Sequence, residues 1–359
     1  GLSLAATTEH KNVIYGVGEA FTPEQRAAVV TAGLHWIPAN LGLHVGGIPV
    51  GSRAYSATSI HSTVDSIIRE LSTLESYLRG ANGTMKARVQ TIYAMIRMCT
   101  AQQLTYLLRS CPPSMTLDAA QRLDNAIINT VFRITDSVRL LPPEGSEMMQ
   151  QNLNRLFLSV RLGGGGMTCS AHIARSAYTG SLLQCAPHMH QYFTTGDNRF
   201  ETALPTASMV EFQDSVNYLR DSGVDCLDAV SLRSAWTSPS QRKMQSRISS
   251  QLQQQRRRQE LASLPTGHPR HGHAALHQLN PTEAAIRRQG ITNCTSPDSN
   301  QWLCANPAYH LNRMTDQAFR LAWQIRSLLP VMAPREFCIC GCPMDCLGDH
   351  VLVCPRITV

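Results

Sequence analysis

The sequence predicts a mainly α-helical protein with a small β-containing segment at its N-terminus. Aromatic residues make up only 6% of the 359 residues, and helix-forming residues are frequent. Apolar residues recur at helical spacing through a long central stretch, whereas glycine-bounded runs typical of strands are confined to the first fifty residues. A chain of this length is expected to form two or three domains.

The first fifty residues combine strand and helix signals. VIYGVG (13–18) and GLHVGGIPVG (42–51) are typical of short strands ending in glycine turns. Between them, residues 22–33 predict a helix, with Thr22 as the N-cap, Pro23 at the first helical position and Gly33 as the stop.

Residues from about 55 to 220 predict a helical bundle, because apolar side chains repeat there at i, i+3, i+4 and i+7. Pro112-Pro113 and Pro142-Pro143 separate successive helices. The predicted apolar stripes are Val64, Ile67, Ile68, Leu71, Leu74 and Leu78; Val89, Ile92, Tyr93, Ile96 and Cys99; Leu117, Ala120, Leu123, Ile127, Val131 and Ile134; Leu153, Leu156, Phe157 and Val160; and Ile173, Ala177 and Leu182.

Residues 238–275 predict a basic, His- and Arg-rich linker. The segment is polar almost all round, which is typical of an exposed helix or a linker. Its cations could contact phosphates, or they could simply be solvated. A metal-binding role for the histidines of 268–277 is a weaker alternative to a solvated linker. The candidate nucleic-acid-binding residues are Arg242, Lys243, Arg247, Arg256, Arg257 and Arg258.

The C-terminal stretch FCICGCPMDCLGDHVLVC (337–354) gathers five cysteines and one histidine after a predicted amphipathic helix at 315–330. Zinc is bound by four Cys or His ligands, usually as two close pairs. Cys338 with Cys340, and His350 with Cys354, provide such pairs. Cys342 and Cys346 are spare, so the ligand set stays open, and an iron–sulfur site or unrelated cysteines are alternatives.

The charge and the motif content favour binding over catalysis. The net charge of +7 favours an anionic partner, most commonly nucleic acid, although a basic protein without such a partner is an alternative. The cysteine pattern favours a reducing compartment, and the longest apolar runs are too short to predict a membrane span.

No residue is predicted to be catalytic. The glycines of 163–166 lack the Lys-Ser/Thr of a phosphate-binding loop and are interpreted as a turn. Neither an Asp-Asp pair nor a GxSxG motif occurs, and Asp65, Glu70 and Glu75 are predicted to form a solvated helix face.

Several segments, in order, resemble the carboxyl-terminal half of reverse transcriptases encoded by non-LTR retrotransposons. Gly1–Leu4 followed by Lys11 resembles a palm segment, and GLHVGGIPVGS (42–52) resembles the palm hairpin that grips the primer. TYLLRSCPP (105–113) and RLGGGGM (161–167) are similar to thumb signatures, the second usually being RLGGLGL. The F-x3-W-x-I-R-x-L-L-P helix with the cysteine-rich stretch resembles the knuckle that follows the thumb.

The resemblance implies four regions. Residues 1–54 would be the end of the palm, 55–237 a helical thumb-like domain, 238–275 the basic linker, and 276–359 a C-terminal helix with a CCHC zinc knuckle. The primer-grip-like residues would be Leu43, Val45, Gly47, Pro49 and Gly51. The structural zinc ligands would be Cys338, Cys340, His350 and Cys354.

The resemblance also implies RNA and DNA as partners, either template–primer or target DNA, and an intracellular, nuclear location. The catalytic aromatic-x-Asp-Asp and the fingers are expected upstream of Gly1, so that magnesium would serve only the complete polymerase and this piece alone would be inactive. Two alternatives are a non-enzymatic nucleic-acid-binding protein derived from such an element and a structural helical protein with a zinc-stabilised tail.

Overall fold

The protein is mainly helical with two small two-stranded sheets near its N-terminus, which confirms the predicted fold class. The computed structural model describes residues 13–15, 22–37, 41–80, 87–193, 206–228, 232, 243–262, 290–296, 298–305, 307–331 and 340–341. The strands are β1 (Val13–Tyr15), β2 (His35–Ile37), β3 (Gly42–Val45) and β4 (Ile48–Gly51). The helices are α1 (Pro23–Thr31), α2 (Arg53–Arg79), α3 (Val89–Met98), α4 (Thr105–Ser110), α5 (Pro113–Ile134), α6 (Glu147–Phe157), α7 (Ser170–Phe193), α8 (Thr206–Asp221), α9 (Met244–Ala262), α10 (Gln301–Cys304) and α11 (Asp316–Arg326).

The predicted first helix and both strand segments are present. α1 begins with a capping box, in which the Thr22 side chain accepts from the Gln25 amide and the Gln25 side chain accepts from the Thr22 amide at 2.9 Å. The helix stops before Gly33, whose φ of 73° suits glycine. β1 pairs with β2 in parallel, and β3 pairs with β4 antiparallel.

The main core lies among α2, α3, α4, α5 and α7. α2 packs along α5, and α7 packs against both α4 and α5. The predicted stripes of α2, α3 and α5 are largely buried, with Val64, Ile92 and Leu123 among the residues at or near zero exposure. Cys99 is an exception: it follows the end of α3, where helical spacing no longer applies, and it is exposed.

Within 238–275, the segment interpreted as an exposed helix or a linker, Met244–Ala262 forms the helix α9. α9 packs against α7, and its Met244 and Ile248 are buried in a second core with Leu183 and Leu219. A narrow apolar stripe at 244, 248 and 252 holds this otherwise polar helix in place, and such a stripe is hard to see among glutamines and arginines. Residues 263–275 lie outside the described ones.

The predicted C-terminal helix is present as α11, capped by Thr315. It belongs to the main core, because Phe319 and Trp323 are buried and their rings lie 5.4 and 5.1 Å from that of Tyr93 in α3. Among the described residues, each helix is either too short or too polar to cross a membrane.

Candidate nucleic-acid interface

The β3–β4 hairpin turns at Gly46-Gly47 and rests on α4. Both glycines have positive φ, 57° and 83°, as a two-residue turn of this kind requires. The phenol of Tyr106 in α4 donates a 2.8 Å hydrogen bond to the Gly46 carbonyl. Two segments that lie 60 residues apart in the sequence therefore meet at the hairpin tip.

The hairpin is also anchored to the first turns of α2. The two ring nitrogens of His44 lie 2.7 Å from the Ser59 hydroxyl and 3.2 Å from the Tyr55 phenol. A Cβ at Gly51 would lie 2.7 Å from the Gly42 Cα, so the base of the hairpin is closely packed. These contacts hold the turn at a fixed place beside α4.

The five primer-grip-like residues differ in accessibility. Val45, next to the turn, is 54% exposed, whereas Leu43 is half-buried and Pro49 is buried. Gly51 pairs with Gly42 at the open end of the hairpin, and Gly47 lies in the turn. Of these five residues, Val45 and Gly47 at the tip are the exposed ones, so the tip is placed to contact a ligand.

An aromatic ring lies at this tip, and a cation follows it on the same helix. Tyr106 is 51% exposed, and Arg109, one turn further along α4, is also exposed and donates to the Gln184 side chain at 3.4 Å. We call Val45, Gly46, Gly47, Tyr106 and Arg109 the hairpin surface. A ring can stack on a base and a guanidinium can pair with a phosphate, so the hairpin surface has the chemistry to contact a nucleic-acid strand.

The basic residues predicted at 242–258 lie in different environments. Lys243, Arg247 and Arg258 are exposed, Arg256 is half-buried, and Arg257 is buried. Arg242 lies outside the described residues. The six cations lie close together in the sequence, but a helix that packs on a core turns some of its side chains inward.

Arg257 belongs to what we call the buried arginine cluster: Arg155, Arg257, Glu260 and Arg326. The Glu260 carboxylate lies 3.3 Å from the Arg155 guanidinium and 3.4 Å from that of Arg257. Arg155 also donates to the Arg326 carbonyl at 2.6 Å, and Arg257 donates to the Ile291 carbonyl at 3.0 Å. Burial lowers the pKa of Arg257 and Arg326. Arg257 is thus bonded inside the protein and is not available to contact a nucleic-acid strand.

The glycine run forms a turn, as predicted, and the buried arginine cluster explains its composition. Gly163 and Gly164 offer their carbonyls to Arg155 and Arg326, at 3.2 and 2.8 Å. A Cβ at Gly165 would lie 2.8 Å from the Tyr93 hydroxyl and 2.9 Å from the Trp323 ring. The run presents carbonyl acceptors to cations, which is the opposite of the N–H donors of a phosphate cradle.

Asp124 is a buried polar residue that sequence reasoning missed. Its carboxylate accepts from the amides of Ser170 and Ala171, at 2.7 and 2.9 Å, and from the Cys169 thiol at 3.1 Å. It therefore caps the N-terminus of α7 from α5. Burial raises the pKa of Asp124 to about 6, and burial likewise lowers the pKa of nearby His172 to about 3. An aspartate beside Leu123 on the apolar stripe of α5 is the signal that could have revealed it.

The three acids predicted to lie on a solvated face have polar partners. Asp65 lies 2.6 Å from Arg122, and both side chains are about half exposed. Glu75 lies 2.9 Å from Arg133 and is more enclosed, while Glu70 accepts from Gln103 at 2.6 Å. This arrangement does not gather the carboxylates for metal catalysis.

Of the predicted zinc ligands, the structure describes Cys340, which is half-buried. Cys338, His350 and Cys354 lie outside the described residues. Within the part of the chain that is described, no group of three His, Cys, Asp or Glu side chains could hold a metal ion. The Cys3His donor set itself fits zinc.

The chain matches no protein-family model, no curated protein and no solved structure.

Proposed function

We propose that this protein binds nucleic acid as part of a reverse transcriptase of the non-LTR retrotransposon type. In this proposal the hairpin surface contacts the primer strand, and the helical bundle supports it as a thumb-like domain. The polymerase carboxylates and their magnesium would belong to the complete enzyme, so the role of this chain would be binding alone.

One contact carries the proposal. The hairpin at 42–51 and the segment TYLLRSCPP are two of the stretches on which the resemblance rests, and Tyr106 of the second bonds the turn of the first. A fold shared with that family would bring these two stretches together, so the contact supports the proposal. A second pair behaves similarly, since the glycine run packs against Trp323 of the C-terminal helix.

The test measures the affinity of the full chain for a fluorescently labelled RNA–DNA primer–template by anisotropy, over a range of KCl concentrations. We expect binding that weakens with salt, because phosphate contacts release counterions. Arg109→Ala should lower the slope of the logarithm of the binding constant against the logarithm of the KCl concentration by about one. It should also weaken binding to the same degree for different nucleic-acid sequences. Tyr106→Ala should cost about 1–3 kcal/mol, the usual contribution of one stacked base.

Arg139→Ala is the matched control, because Arg139 is an exposed arginine in the turn Val138–Leu140, away from the hairpin surface. Equal effects of Arg109→Ala and Arg139→Ala would contradict the proposed interface. A chain that binds neither RNA nor DNA at low salt would favour a structural helical protein.

We propose that Cys338, Cys340, His350 and Cys354 hold one structural zinc ion. Metal analysis of the purified chain should give one zinc per molecule, and Cys354→Ser should lower this value. Cys304→Ser is the control, because Cys304 is an exposed cysteine outside the cluster. Unchanged zinc content in the Cys354 variant would show that the spare cysteines, or a different site, bind the metal.

A further inference from the structure

A cavity of about 280 Å³ lies between α7, α8 and α9, away from the hairpin surface. Its volume is just below the range of about 300 Å³ and more that is typical of sites for drug-sized ligands, which suits a single planar base. The polar residues in its wall include His172, Tyr218, Asp221, Gln255, Arg256 and Gln259, and Ile173 and Leu252 add apolar surface.

The cavity wall combines opposite charges. Arg256 is hydrogen-bonded to the Cys169 thiol and is attracted electrostatically by the Asp124 carboxylate, and Asp221 lies at the exposed end of α8. Among the described residues, neither Arg256 nor Asp221 is within ion-pair distance of an oppositely charged group. A ligand with both acceptors and donors can bond the remaining N–H groups of Arg256 and the exposed carboxylate of Asp221.

His172, in the cavity wall, has an unpaired ring nitrogen. The Nδ1 atom of His172 is buried and has no hydrogen-bond partner in the part of the chain that the structure describes.

Tyr218 gives the cavity an aromatic wall. The guanidinium carbon of Arg175 lies 4.1 Å from the centre of the Tyr218 ring, and 44% of Tyr218 remains exposed. A cation over one face of a ring orients it and leaves part of it accessible to a stacking base.

We propose that this cavity binds an unpaired guanine base of a single-stranded nucleic acid, an inference that rests on the proposed nucleic-acid-binding function. The forked donors of Arg256 match the adjacent O6 and N7 acceptors of guanine. The carboxylate of Asp221 matches the adjacent N1–H and N2–H₂ donors. Guanine is the one common base that presents two adjacent acceptors beside two adjacent donors, so the other bases would leave hydrogen bonds unmade.

The test is isothermal titration calorimetry of the full chain with GMP, dGMP, AMP, CMP and UMP. We expect GMP and dGMP to bind alike, because the base edge and not the sugar is recognised, and to bind about tenfold or more tightly than the other three. Asp221→Asn should remove most of this preference. Asp214→Asn is the matched control, because Asp214 lies on the same helix and is exposed but lies outside the cavity wall.

A second pair of variants tests the other side of the cavity. Arg256→Gln should abolish the guanine preference, while Arg258→Gln, at an exposed site on the same helix, should keep it. Because Arg256 packs beside Asp124, the Arg256 variant is interpreted only if its circular dichroism matches that of the unaltered protein, and otherwise Asp221→Asn decides.

Equal binding of all five nucleotides, no binding of any, or identical behaviour of the Asp221 and Asp214 variants would overturn the guanine site. Binding of primer–template can be measured separately on the same variants. If Asp221→Asn leaves both guanine preference and primer–template binding intact, the guanine site fails while the proposed function stands.

Discussion

The hairpin surface and the buried arginine cluster use similar residues for opposite purposes. At the hairpin surface, Arg109 and Tyr106 are exposed beside a glycine turn. In the buried arginine cluster, Arg155 and Arg326 direct their guanidinium groups inward to the carbonyls of a glycine run. Exposure decides the difference: an exposed guanidinium can exchange water for a phosphate, whereas a buried one must be bonded by the protein itself.

Removal of a member of the buried arginine cluster should have the largest effect. Arg155→Ala leaves the Glu260 carboxylate with one cation in place of two and leaves the Arg326 and Gly163 carbonyls without a donor. We expect a loss of about 3–5 kcal/mol in the free energy of unfolding, measured by urea denaturation.

The matched control is Arg122→Ala at the exposed pair with Asp65, for which we expect a loss of less than about 1 kcal/mol. Similar losses for the two variants would contradict the distinction between the buried and exposed arginines.

Asp124 and His172 are two further buried polar residues, and burial shifts their pKa values in opposite directions. The pKa of Asp124 is raised from 3.8 to about 6, so its contribution to stability is lost as pH rises through this range. The pKa of His172 is lowered from 6.5 to about 3, so its contribution is lost as pH falls. Between about pH 4 and pH 6 the two effects should nearly cancel in the unaltered protein.

A variant that removes one of these two titratable groups should therefore reveal how the other group changes the free energy of unfolding with pH. With Asp124→Asn the free energy of unfolding should rise with pH between 4 and 6, by up to about 1.4 kcal/mol per pH unit, and with His172→Gln it should fall with pH at a similar rate. Urea denaturation at pH 4, 5 and 6 measures both slopes. If the two variants changed the slope in the same direction, the assigned pKa shifts would be wrong.

Gly165→Ala tests how tightly the glycine run packs beside the buried arginine cluster. The added methyl group would meet the Tyr93 hydroxyl, the Leu156 carbonyl and the Trp323 ring at 2.8–2.9 Å, and two of these belong to rigid neighbours. We expect a loss of about 1–3 kcal/mol, the usual cost of overpacking, measured by thermal and urea unfolding.

Gly290→Ala is the control for this variant, because its methyl group would meet only the end of the Leu328 side chain, which can shift. A loss at Gly290 as large as that at Gly165 would mean that the run is not specially constrained.

Tyr106→Phe should have the smallest effect and should separate stability from binding at the hairpin surface. It removes the hydrogen bond to Gly46 and keeps the ring, so the free energy of unfolding should change by less than about 1 kcal/mol. Hydrogen exchange at Gly46 and Gly47 should become faster, while primer–template affinity should fall far less than with Tyr106→Ala. Equal loss of affinity in the two variants would show that the hydroxyl, and not the ring, makes the contact.

Much of the fold could be predicted because its signals are local. The capping box of α1, the glycine turn of the hairpin and the stripes of α2, α3 and α5 each depend on residues a few positions apart. The sequence does not reveal that α9 is packed, because its apolar stripe is only three residues long and its partners lie on other helices, α7 and α8. The candidate site was predicted only in part, since the hairpin was recognised but its contact with Tyr106 was not.

The sequence by itself determined most of the helices and the hairpin, the positive charge and the grouping of cysteines near the C-terminus, because these follow from composition and short-range spacing. Only the tertiary structure decided which arginines are available to a ligand. Arg256, Arg257 and Arg258 are consecutive in the chain, yet one lines a cavity, one is buried against Glu260 and one is exposed. Each step along a helix rotates the side chain by about 100°, so the packing of α9 on its neighbours, and not the run of arginines, sets the environment of each.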